Sequence, residues 1–473
     1  GDNNIAIGQS AMNNGSNAVD GVVAIGKFAL QGALTSAADS VVGIGQQALQ
    51  SLTSGANTVA IGHQAGNTAT TINYTTIVGH QAGLKLLDST HNTLVGYTSG
   101  WSLGSDLADN NTFMGAASGS NGDHSNTNNN TANNNVGIGK SSMGGYQGTD
   151  GSNTYDFTGV NNVAVGVDSL KVITSGNSNV AIGVSAGTAV TDASNLVLLG
   201  KDAGAAITSS GANGTIAIGQ SAGKRHTSGA GCVYIGNAAA DHCTDGHRNV
   251  AIGEAALSAN ADDDNVAIGY GALGVCTGAD NVAIGKDAGN VIQAGNTNTI
   301  IGYNADASAN GAVGQIAIGA SVTCTGDNTI TVGIGANTAS LGLDGSDESW
   351  AAASSDERLK ENIESSSAGL NVINDLRPVT YNWKKAKDVQ KDLPQYKDSD
   401  EPVLGTKYGE QLHGFIAQEV KEVIDNHDEL KDGFKMWKLK DDGTQTIASG
   451  NLIPILVKAV QELSARVKEL ESK

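Results

Sequence analysis

The chain has 473 residues, a formal net charge of −20 and only 4% aromatic residues. That charge is unevenly spread: residues 1–354 hold 9 Lys+Arg against 25 Asp+Glu, and residues 355–473 hold 18 against 22. An acidic first part gains nothing from phosphate or anionic lipid, which excludes nucleic acid as a partner, and no apolar run approaches the ~20 residues of a membrane span.

From the N-terminus one motif recurs. It reads "NNIAIGQSA" at 3–11, "NTVAIGHQAG" at 57–66, "SNVAIGVSAG" at 178–187, "DNVAIGKDAG" at 280–289 and "GQIAIGASV" at 314–322. Its glycine can be followed through nineteen copies, from Gly8, Gly26 and Gly45 to Gly302, Gly319 and Gly333, mostly 16 to 19 residues apart. Each copy predicts one strand, N-h-A-h-G, with Val and Ile on one face and Ala on the other. The glycine ends the strand at a corner, and the "xxAG" that follows predicts a second short strand before a polar turn. Such a strand cannot bury an apolar face alone, so successive copies must stack. At ~4.8 Å per strand the product is a parallel β-solenoid or β-roll roughly 90 Å long. The Ala face is expected to admit a second copy of the chain closely.

The N-[VI]-A-[IV]-G-x-x-A unit resembles the head repeats of trimeric adhesins of the YadA type, over nearly all of 3–336. The resemblance implies a left-handed β-roll and a homotrimer. The adhesins' membrane anchor has no counterpart at this C-terminus.

Two repeats are stretched, Gly115 to Gly139 and Gly139 to Gly166. Protruding loops on a rigid rod are where binding residues tend to sit, so Tyr146, Tyr155 and Phe157, with Trp101 nearby, are the candidate receptor-binding residues. Asp262, Asp263 and Asp264 read as a solvated acidic turn rather than a calcium site. Cys232, His242, Cys243 and His247 crowd one stretch without a C-x-x-C knuckle. The four cysteines, Cys276 and Cys324 included, are expected as free thiols made in a reducing cytosol, with no metal and no cofactor. No Ser-His-Asp set, H-E-x-x-H or phosphate loop appears in the repeats.

At "AAASSDERLKENI" (351–363) the chemistry changes, and all four prolines lie beyond it. Ser355, Asp356, Arg358, Leu359, Lys360 and Ile363 spell S-D-x-R-L-K-x-x-I. "LRPVTYNW" (376–383), "HGFIAQEV" (413–420) and "NLIPILVKAVQEL" (451–463) follow in order. In this order the motifs resemble the C-terminal intramolecular chaperone of phage fibres, the peptidase S74 or endosialidase-type domain, over 355–473. The resemblance implies self-cleavage between Ser354 and Ser355, with Ser355 as nucleophile, Lys360 as general base and His413 as a weaker candidate for second base or orienter. Read without it, a Ser-Asp-Glu stretch before a helix is an N-cap.

Ile453, Leu456, Val460, Leu463, Val467 and Leu470 step by 3, 4, 3, 4, 3, the seam of a coiled coil. Glu462, Lys468 and Glu469 lie off that seam, facing solvent or a neighbouring chain, and Pro454 fits only the first helical turn.

The expected organisation is a mainly β fibre shaft or head (1–340), a linker (341–354), a small α/β chaperone domain (355–450) and a trimeric coiled-coil helix (451–473). The expected function is that of a phage tail fibre in the virion, assembled in the host cytoplasm. It would bind a host cell-surface glycan or protein and meet other tail or baseplate proteins through a region preceding Gly1. A tailspike glycan depolymerase with the same chaperone is the alternative, and a bacterial trimeric adhesin falls behind both.

Overall fold

The computed structural model describes the chain except residues 15–18, 102, 105–107, 121–130, 145–156, 344–350, 353–356, 358–360, 392, 394, 404–408, 410, 432–433 and 440–442. It divides into two compact units, Gly1–Ser354 and Ser355–Lys473.

The first unit is a parallel β-solenoid. Among the described residues nineteen strands, from Ile5–Ile7 to Thr329–Ile334, stack one upon the next in unbroken register. Equivalent residues pair directly, as in Val250↔Val266, Ala251↔Ala267 and Ile252↔Ile268. The strand-ending glycine is obligatory for two reasons. Gly62 has φ +139°, and a Cβ placed there would sit 2.3 Å from the carbonyl oxygen of Gly79 on the next rung.

Past that corner the chain departs from the expected second strand. Residues such as Gln64 and Gln81 adopt left-handed backbone (φ 57° and 54°), which breaks strand geometry. Successive turns are instead joined by single hydrogen bonds, such as Gln81 N–H to His63 O at 2.9 Å. Among the described residues, pairing outside the main stack lies beyond this segment, in full between Thr71–Asn73 and Asp88–Thr90 and as isolated bridges such as Ser54↔Thr71 and Asn296↔Val313.

The two strand faces are also reversed from the expectation. The central alanines (Ala60, Ala181, Ala251, Ala267, Ala283) are wholly buried inside the roll, and the flanking Val and Ile lie half-exposed outside. A turn of about seventeen residues encloses a narrow interior that admits methyl groups from the strand and leucines from the opposite wall. Where the central residue is large, its surroundings shrink: the Phe113 ring occupies space that a Cβ on Gly119 or Gly137 would need.

A buried amide ladder runs beside this core. Asn111 donates its backbone N–H to Asn92 Oδ1 (2.9 Å), and Asn135, Asn162 and Asn179 continue the chain of bonds. A second run links Asn249, Asn265, Asn281, Asn298 and Gln315. In the rungs that carry it, the Asn of the repeat thus satisfies buried backbone groups at the corner. The parallel stack ends in an antiparallel hairpin, Thr329–Ile334 with Asn337–Gly342, to which Ala351–Ala352 adds a short strand.

The second unit is α+β. It contains α1 (Leu370–Asp375), α2 (Ala417–Asn426), α3 (Asp428–Lys431) and α4 (Ile453–Glu471). Val379–Tyr381 pairs antiparallel with Leu412–Gly414, and Trp437–Leu439 with Gln445–Ile447. Val372, Val420, Ile424, Leu430, Met436, Leu452 and Ile455 form its core. Pro454 sits in the first turn of α4, where its missing N–H costs nothing.

Candidate processing site and assembly surfaces

Ser354, Ser355 and Lys360, with Asp356, Arg358 and Leu359, lie outside the described residues. Upstream of them, Ala351–Ala352 is paired with Ala339–Ser340 at the edge of the terminal hairpin. Downstream, Ile363 is exposed. His413 sits on the Leu412–Gly414 strand opposite Thr380, exposed, at the rim of a shallow groove with Pro378, Val379, Phe415 and Ser449.

The quoted motifs of this unit are joined through side chains that their sequence did not single out. Arg377, from "LRPVTYNW", makes a two-pronged ion pair with Glu419, from "HGFIAQEV", with Nε 3.0 Å from Oε2 and Nη2 bonded to Oε1. The guanidinium holds the Glu419 carboxyl below its ordinary range. His427, at the end of α2, donates from Nε2 to Asp375 at 2.8 Å and lies 3.3 Å from Glu429. The hydrogen bond to Asp375 raises the His427 pKa.

The two faces of α4 have different tasks. Leu452, Ile455 and Ala459 are buried against the domain, with α1 as the packing partner. Ile453 (62% exposed), Leu456, Val460, Leu463, Val467 and Leu470 (70%) form an uncovered apolar seam. Glu462 is not the solvent-facing residue its heptad position suggested. Its Oε2 accepts the Leu370 N–H at 2.9 Å and caps α1, whose N-cap residue Gly369 has no side chain to do so. The carboxylate lies where a Cβ on Gly369 would be.

On the solenoid, Phe157 points into the core and Trp101 is buried, so neither is an exposed receptor contact. Phe157 packs in the core, 6.5 Å from the Phe113 ring, and Trp101 is covered, with Lys85 Nζ 4.7 Å from its ring centre. Large side chains fill a narrow roll better than they decorate it. Tyr146 and Tyr155 lie outside the described residues.

Asp263 and Asp264 pair with Arg248, the latter at 2.6 Å, and that pairing lowers the Asp264 pKa. The four cysteines are free and buried, and burial pushes the Cys276 thiol up to about 11. Cys232 Sγ lies 3.1 Å from the Gly246 carbonyl, and Cys243 faces Ala261 O, so both serve the core. Among the described residues no His, Cys, Asp or Glu cluster gathers as a metal site.

Residues 355–429 match the family described as chaperone of endosialidase, Peptidase S74. The second unit carries a chaperone-of-endosialidase domain. No curated protein and no solved structure matches the chain. The match begins at Ser355, the residue at which the second compact unit also begins. A parallel solenoid followed by a chaperone-of-endosialidase domain is the organisation of an endosialidase-type fibre protein. Domains of this family are, in general, self-cleaving chaperone peptidases. Within it, "LRPVTYNW" and "HGFIAQEV" lie inside the matched span, and α4 lies beyond it.

Proposed function

We propose that this chain is a homotrimeric phage tail fibre that binds a host cell-surface receptor, and that its chaperone domain assembles the rod and is then released by cutting at Ser354–Ser355. The observation that carries the reading is the coincidence at Ser355 of three boundaries: composition, compact unit and family match. Assembly as a trimer draws support from two uncovered apolar surfaces, the α4 seam and the outward Val and Ile columns of the solenoid. Three α4 helices joined along a/d residues form a short coiled coil, with the rest of the domain adding to the interface.

In the cutting step Lys360 Nζ takes the proton of Ser355 Oγ, and Oγ bonds to the Ser354 carbonyl carbon. The Ser354–Ser355 C–N bond breaks, and the proton passes to the Ser355 nitrogen. Water then hydrolyses the resulting ester, leaving a carboxylate on Ser354 and restoring the serine hydroxyl. Loss of the domain leaves the rod kinetically trapped, because the template for reversible assembly has gone.

The test compares the full-length chain with Ser355→Ala and Lys360→Ala variants by intact-mass spectrometry and native sizing. Wild type should yield a fragment beginning at Ser355, and both variants should stay uncut yet trimeric. An uncut wild-type trimer removes the autoproteolysis and leaves the domain as a permanent assembly cap.

A further inference from the structure

The residue that follows each strand-ending glycine forms a column along one edge of the solenoid. In most rungs it is small, aliphatic, amide or charged, but in two runs of three rungs it carries aromatic rings that stack or sandwich a cation. His63, His80 and Tyr97 occupy three successive rungs, with ring centres 5.0 and 5.4 Å apart and planes 25° and 18° from parallel. Further along, Tyr270, Lys286 and Tyr303 occupy three successive rungs, with the Lys286 ammonium 5.6 and 5.8 Å from the two ring centres. Each run ends on a tyrosine more than half exposed: Tyr97 at 59% and Tyr303 at 57%.

The next rung is the same in both places. After Tyr97 the column continues with Ala116, and after Tyr303 with Ala320, both exposed. Backbone bonds fix that neighbourhood: Ala117 N–H donates to Tyr97 O (2.8 Å) and Ser321 N–H to Tyr303 O (2.7 Å). Each tyrosine ring is therefore backed on one face by the group beneath it, a histidine or a lysine. Its other face looks across a step occupied by a single methyl group. With rungs ~4.8 Å apart, that step has the depth of one six-membered ring.

We propose that Tyr97 and Tyr303 are two ring-stacking platforms for pyranose rings of a host surface polysaccharide; this rests on the receptor-binding reading and gives it a location and a ligand class. A pyranose presents an apolar C–H face that stacks on an aromatic ring, and hydroxyls around its edge that need hydrogen-bonding neighbours. Both platforms have them. Gln64 and Gln81 run beside the first in a bonded amide ladder (Gln81 Nε2 to Gln64 Oε1, 2.8 Å), and Asn304 and Lys286 flank the second. A protein partner would call for a broader apolar seat than one ring. Counting glycines from Gly96 to Gly302, the platforms are eleven rungs apart, roughly 50 Å along the edge at the usual strand spacing. That separation lets one rod engage a repetitive polymer twice, so weak single contacts add as avidity.

The experiment incubates labelled full-length chain with an array of immobilised bacterial O-antigen and capsular polysaccharides, alongside Tyr97→Ala, Tyr303→Ala, the double variant and Tyr97→Phe. Tyr74→Ala, another exposed tyrosine, is the control, and native sizing monitors assembly. The expected result is a polysaccharide bound by wild type, weakened about tenfold by each alanine and further by both, with Tyr97→Phe and the control unchanged. Polysaccharide binding unaffected by the double variant overturns the platforms and leaves receptor binding standing. Wild type that binds no polysaccharide but adheres to bacteria stripped of it overturns the glycan and points to a protein receptor. Wild type that adheres to nothing removes the receptor reading itself. Loss of the trimer in either alanine variant overturns the proposal by placing these rings between chains.

Discussion

Removing one link of the buried amide ladder should loosen the solenoid locally and measurably. Asn281 is fully buried; its Nδ2 donates to the Gly295 carbonyl at 2.8 Å and its Oδ1 accepts the Asn298 N–H at 3.1 Å. Asn281→Ala takes away both partners at once. The Gly295 carbonyl and the Asn298 N–H are then left buried without a bond, at about 1–3 kcal/mol each, so roughly 2–6 kcal/mol in all. Because each rung contacts only its neighbours, the loss stays within a few rungs instead of spreading through the rod. Hydrogen–deuterium exchange followed by mass spectrometry reads this directly. Amides between residues 281 and 300 should exchange about thirtyfold faster or more, since 1.4 kcal/mol is tenfold. Those around residues 60 to 100 should not change. The exposed Asn237→Ala provides the comparison. Unchanged protection at 281–300 would refute the view that the ladder stabilises the corners, and would mean that water or a shifted backbone satisfies these groups.

Charging the α4 seam tests assembly: Leu456→Glu with Leu463→Glu should leave the domain folded but monomeric by native mass spectrometry, since both side chains are exposed in the single chain. Glu462→Ala should do the opposite, lowering the melting temperature of the domain through the lost α1 cap while leaving the oligomer intact; a dissociated Glu462→Ala protein would instead give that residue a role in contacts between chains. For His427 the folded pKa is raised above 6.5 and that of Glu429 is lowered below 4.5. The His contribution is therefore fully present below pH 6.5 and lost as pH rises through the raised value, and the carboxylate contribution is lost as pH falls through the lowered one. Wild type should exceed His427→Gln in denaturant midpoint most clearly between about pH 5 and 6.5 and least at pH 8; a gap that widens toward pH 8 would contradict the assigned sign.

How much of this was readable beforehand depends on how local the cause is. The rung, its glycine and the stacking were legible because the repeat writes them nineteen times. Which strand face turns inward was not. Alternation separates Val and Ile from Ala but does not rank the faces, and hydrophobicity alone puts the larger residues inside. The width of the closed roll decides otherwise, and that width is a property of the whole turn. The same narrowness explains why Phe157, read as decoration, became filling. In the second unit the motif order sufficed to recognise the domain, but Glu462 with Leu370, and Arg377 with Glu419, meet across 92 and 42 residues. No periodicity carries such pairings.

Irregular rungs bear on the question of what a chaperone has left to specify. Within one chain the rungs are not interchangeable. Phe113 requires the glycines at 119 and 137, and Tyr234 requires Gly223, where a Cβ would come within 2.7 Å of its ring. The amide ladder is also broken between Leu196 and Cys232, so its two runs cannot be joined by a slip. A one-rung shift inside the chain would drive an aromatic ring into a space sized for alanine. Between the chains of the proposed homotrimer the situation would differ, because the outward Val and Ile columns are nearly uniform along the rod and would fit one another equally well after a shift of one rung. Intrachain register is therefore marked by the core, and interchain register has to be supplied from outside the repeats. In the homotrimer proposed above, a compact domain that associates through its own seam would supply that alignment before the rungs meet.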